Sequence, residues 1–106
     1  MLKDELRNVL RDRIALDDND SDAVEKCCEK EVEILSRDIN ETILFMDTDC
    51  TADEFSWISE IFDEIVKKTQ SREFIDCLCR VAKKYPDECE KYNISYFIEA
   101  SKEFLD

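Results

Sequence analysis

An all-α fold in one domain, residues 1–106, is what this sequence predicts: about five helices in an irregular bundle or short stacked helical hairpins. Three observations lead there. The chain has no Gly and a single Pro, Pro86. Tight hairpins and phosphate-cradling loops need Gly, whereas helix interiors need neither residue. Apolar residues recur at spacings of three and four along most of the chain, the period of a helix face. Finally, 43% of the 106 residues are hydrophobic, enough for one core but not for a large catalytic domain with a separate substrate domain.

Met1 to Leu16 reads as the first helix, with Leu2, Leu6, Val9, Leu10 and Leu16 near one face. The polar run Asp17 to Asp22 breaks it, and Asp20 or Ser21 can cap the next helix. From Asp22 to Met46 two apolar stripes run side by side, Val24, Cys28, Val32, Leu35, Ile39, Ile43 and Met46 beside Cys27, Ile34 and Phe45. Unbroken, this helix would span about 38 Å, long for so small a domain, so a break is expected between Ser36 and Asn40. Glu31 falls inside the apolar stripe, where a carboxylate belongs at the edge or beside Arg or Lys.

Thr51 and Glu54 have capping-box spacing. They open a third helix predicted to run to about Lys68 on Phe55, Ile58, Ile61, Phe62, Ile65 and Val66. Thr69 to Ser71 interrupts the pattern, and Ser71 caps a fourth helix on Phe74, Leu78, Val81 and Tyr85. Pro86 starts a short helical turn, where a missing N–H costs nothing. Asn93 is expected to cap a last helix facing inward through Ile94, Phe97, Ile98, Ser101 and Leu105.

Charge narrows the function. Twenty-eight acidic residues against fifteen basic ones and no His give a formal charge of -13. Such a field repels nucleic acid and anionic membranes and draws in basic partners. No apolar stretch reaches the ~20 residues of a membrane span, and the charged N-terminal segment lacks the apolar run of a secretory signal. A cytoplasmic protein is therefore expected, with its six cysteines (Cys27, Cys28, Cys50, Cys77, Cys79, Cys89) reduced.

Motifs for chemistry are weak. Asp18, Asp20, Asp22 and Glu29 match four positions of a calcium loop, but Ala23 stands where the sharp turn needs Gly, and helical periodicity runs through the segment. Ile43 to Thr51 resembles the first motif of haloacid-dehalogenase-type phosphatases, which implies Asp47 as nucleophile and Asp49 as acid/base. That family's sheet and Gly-bearing loops are not encoded here. The cysteines are adjacent or two apart rather than in C-x-x-C pairs, and Cys nucleophiles lack a His base. No enzyme activity, cofactor or metal is expected.

The third helix offers a more specific feature. Asp53, Trp57, Glu60 and Glu64 follow i, i+4, i+7, i+11 spacing and would form one stripe, setting the only Trp among carboxylates at the core margin. With neighbouring Asp47 and Asp49 they are the expected partner-binding residues: an aromatic anchor ringed by acids, suited to a basic protein surface.

The helix–Thr69-Gln70–helix pattern and the Lys84-Tyr85-Pro86-Asp87-Glu88 turn resemble small helical immunity proteins of bacterial polymorphic-toxin and contact-dependent growth inhibition systems. The likeness spans Phe55 to Phe97. It implies a stoichiometric inhibitor that binds a cognate toxin domain, commonly a nuclease with a basic groove and here an RNase first, without touching nucleic acid itself. The alternative is an acidic adaptor or regulatory module for another basic protein.

Overall fold

Capping side chains set the starts of four helices in the computed structural model, which describes residues 2–106; Met1, expected to begin the first helix, lies outside them. Among the described residues eight α-helices follow one another: α1 Leu2–Ala15, α2 Ser21–Arg37, α3 Ile39–Thr48, α4 Ala52–Ile58, α5 Phe62–Thr69, α6 Arg72–Lys84, α7 Pro86–Tyr92 and α8 Ile94–Lys102. No strand occurs among the described residues.

The expected break of the long second helix falls on one residue. Asp38 is extended (φ -141°, ψ 97°), ends α2 and caps α3 by accepting the Asn40 and Glu41 amides. Buried Thr42 donates its hydroxyl to the Leu35 carbonyl across the joint (2.7 Å), so a carbonyl freed by the break keeps a partner.

The Thr51–Glu54 capping box is present in both directions, at 3.1 and 3.0 Å. The helix it opens does not run straight to Lys68. A 3-10 turn, Ser59–Ile61, separates α4 from α5. Ser56 and Ser59 hydroxyls each bond to the carbonyl three residues back (2.6 Å), a local competition that bends helices. The bend lets Ile58, Ile61, Phe62, Ile65 and Val66 all reach the core.

Ser71 caps α6 as expected, accepting the Phe74 amide at 3.1 Å. Asn93 does not cap α8. It sits in the left-handed region (φ 54°) directly after α7, its N–H donates to the Cys89 carbonyl, and its side chain makes no capping bond to α8. Gln70 takes the same conformation (φ 53°) after α5. Without Gly in the chain, these two residues fill positions Gly would normally take. Gln70 adds a clip: its side chain donates to the Phe104 carbonyl (2.7 Å) and accepts the Asp106 amide (2.8 Å).

One buried cluster draws on every helix except α7, which adds only the partly buried Cys89. Phe55, Phe62 and Phe74 stand at its centre, with successive ring centroids 5.5 and 6.4 Å apart. Burying each large aromatic fully contributes roughly 2–3 kcal/mol. α1 lies against α2, α3 against α6, and α8 closes over α5 and α6. Among the described residues no helix is long and apolar enough to cross a membrane.

Candidate functional site

Trp57 is held at the edge of the core by a cation. It packs partly buried against the central cluster, and the Arg13 guanidinium lies over its ring at 5.0 Å. Arg13 sits one helical step beyond Leu6 and Leu10 on the inward face of α1, and only 7% of its side chain is exposed. Its fork grips Glu60, Nε to Oε1 at 3.0 Å and Nη2 to Oε2 at 3.2 Å, and Nη1 reaches Asp18 at 3.2 Å. The Glu60 bond outweighs burial and raises the Arg13 pKa further above its ordinary value.

Trp57 separates two recesses. Between α1 and α4 a groove of about 400 Å³ is lined by Leu10, Arg11, Ile14, Asp53 and Trp57, among others. Between α4, α7 and α8 a cavity of about 290 Å³ is lined by Asp53, Ser56, Trp57, Glu60, Tyr92 and Phe97. Ile14, Tyr92 and Phe97 are large apolar residues left substantially exposed, so the indole stands in an apolar trough with Asp53 on both sides. Arg7 braces the first groove by donating to both Glu54 oxygens (2.7 and 3.2 Å). Burial pushes the Glu54 carboxyl upward, but Arg7 and the Thr51 amide outweigh it and hold its pKa below the usual value.

The expected stripe of Asp53, Trp57, Glu60 and Glu64 does not hold to its end, because the 3-10 turn rotates α5 relative to α4. Asp53 and Trp57 share both recesses, and Glu60 joins them in the second while tied to Arg13. Glu64 is exposed elsewhere, in a recess between α2 and α5 with Glu29, Lys67 and Lys68. Asp47 binds Arg80 at 2.9 and 3.2 Å, and its carbonyl accepts Lys84. The Arg80 bond holds its carboxyl below the ordinary range. Asp49 is exposed beside Leu44 and Glu41, and its carbonyl accepts Arg7 Nη2 at 3.2 Å. Sequence reasoning missed Arg13, Ile14, Tyr92 and Phe97. Arg13 was signalled by its inward position on α1; the aromatic pair was not, since Phe97 reads as core.

A second cluster lies behind Glu60. Glu31 is fully buried, neither carboxyl oxygen has a hydrogen-bond partner, and burial, reinforced by Glu60, pushes its pKa up to about 8. The expected pairing with Arg or Lys is therefore not made. Cys28 Sγ donates to Glu60 Oε1 at 3.4 Å. All six cysteines are free. Burial pushes the Cys28, Cys50 and Cys77 thiols up to about 12, so in this state they stay protonated at neutral pH and are poor nucleophiles.

The other motifs resolve as helix chemistry. Asp20 caps α2 by accepting the Ala23 amide, and residues 21–29 of the calcium-loop match are helical. The phosphatase-like Ile43 to Thr48 is the second half of α3, not a strand. Comparison with protein-family models, curated proteins and solved structures gives no match.

Proposed function

We propose that this chain is a stoichiometric protein inhibitor: an immunity protein that covers the basic substrate groove of a cognate toxin domain, with an RNase as the first target to test. The observation that supports it is the Trp57 trough, an indole between two recesses with Ile14, Tyr92 and Phe97 exposed around it and Asp53 at its centre. On a chain of net charge -13, long-range attraction speeds encounter with a basic protein, and a desolvated aromatic anchor then holds the complex. Carboxylates would occupy the places of substrate phosphates. The resemblance over Phe55 to Phe97 supplies the toxin context.

The test is co-expression with the product of the gene immediately upstream, followed by co-purification. Rescue of growth with a one-to-one complex is expected. Trp57→Ala should weaken the complex by ~2 kcal/mol or more, about thirty-fold, and Asp53→Lys should slow association. Glu60 is a poor probe, since its reversal also breaks the Arg13 pair. Failure of rescue overturns the immunity reading. Capture of a different basic protein through Trp57 would instead establish the adaptor reading.

A further inference from the structure

Cys28 and Glu31 are three residues apart on α2, so both side chains project from one helix face. Glu60, from the 3-10 turn, meets them: one ligand atom from each of the three lies within 4.8 Å of the others. Acidic groups gather often on so acidic a chain, and proximity alone would mean little. Glu31 is the independent observation. It is fully buried, both of its oxygens are without a donor, and it is directed into this cluster. A buried carboxylate without a hydrogen bond is costly, and Arg13 gives it none: the Arg13 bonds go to Glu60 and Asp18.

We propose that Cys28, Glu31 and Glu60 bind one zinc-class divalent cation. The donor set selects the class. A sulfur and two carboxylate oxygens suit Zn2+, whose three-ligand sites leave a fourth position to water. Calcium and magnesium take six or more oxygen ligands and do not favour sulfur. Three anionic ligands beside Arg13 leave two negative charges, which one divalent ion balances. Tetrahedral zinc holds its ligand atoms about 3.5 Å apart; Cys28 Sγ and Glu60 Oε1 are already at 3.4 Å, and Glu31 closes by a side-chain adjustment of about 1 Å. The metal takes the place of the Cys28 proton at Glu60 Oε1, which also accepts Arg13 Nε, while Arg13 Nη2 on Oε2 orients the carboxylate, as outer partners of metal ligands do. The Cys28 side, only partly buried, and the exposed Glu60 give the ion a way in.

The test is titration of the chelator-stripped full chain with Co2+ and, separately, Zn2+. One equivalent of Co2+ should bind with a thiolate-to-cobalt absorption band in the near ultraviolet and visible bands of tetrahedral strength. Zn2+ should displace it. Cys28→Ser should abolish the charge-transfer band, and Glu31→Gln should weaken Zn2+ binding at least ten-fold, with circular dichroism confirming that both variants remain helical. No stoichiometric binding to the wild-type chain overturns the proposal, whatever the variants do. So does a charge-transfer band that survives Cys28→Ser, which would place the metal on other cysteines.

Discussion

Replacing Arg13 by Met removes a cation while keeping most of the stem that covers Trp57. Breaking a fully buried ion pair by removing one partner costs ~3–5 kcal/mol. Here Arg13 is nearly buried, but one third of the Glu60 side chain is exposed, so water takes over part of the carboxylate and the lower end applies. The lost cation–π contact adds ~1 kcal/mol, partly offset by packing of the Met thioether on the indole. We expect a loss of ~3 kcal/mol, or roughly 15 °C in melting temperature for a domain of this size. Arg13→Lys restores charge but not the two-pronged grip or planar stacking, and should recover about half. Urea unfolding, followed by Trp57 fluorescence and by circular dichroism with chelator present, measures the difference. In a double-mutant cycle, Glu60→Gln should cost much less in the Arg13→Met background, with a coupling of ~2 kcal/mol. A loss below ~1 kcal/mol with negligible coupling would refute the view that Arg13 neutralises this cluster.

Two further outcomes are expected. Glu54 and Asp47 both have folded pKa values below their unfolded ones, so their pairs stabilise the fold above the ordinary carboxylate range and are lost as pH falls through the depressed values. Melting temperature should therefore drop below about pH 4.5, and Glu54→Gln should flatten that decline; parallel curves for variant and wild type would refute it. At Gln70, Gly and Ala both remove the clip on the C-terminal segment, but only Gly accepts a positive φ freely, so Gln70→Gly should be more stable than Gln70→Ala by ~1 kcal/mol in chemical denaturation.

The helices were legible because their signals are local. Asp20, Thr51, Ser71 and Pro86 each mark a start through side chains or ring geometry that act within four residues. The bend at Ser59–Ile61 was not legible, since it depends on fitting both α4 and α5 to the same aromatic core. That bend also explains why Glu64 parts from Asp53, Trp57 and Glu60. Glu31 stood out as a carboxylate in an apolar stripe, but its neighbours Cys28 and Glu60 come together only when α2 packs against the 3-10 turn. Tyr92 and Phe97 are exposed because α7 ends at Asn93 in a left-handed turn, which sets the direction of α8 in a way that apolar periodicity does not encode.

Asp38 has a consequence for how the chain tolerates changes in length. It is the whole connection between α2 and α3, closing one helix and opening the next. One added residue there would turn α3 by about 100°, carrying Phe45 and Met46 out of the core and the Thr42 hydroxyl away from Leu35. The segment from Asp17 to Asp20 is exposed throughout and carries no core residue, though Asp18 meets Arg13 and Asp20 caps α2. Insertions and epitope tags belong between α1 and α2, where the chain has slack, and not at the one-residue joint after α2.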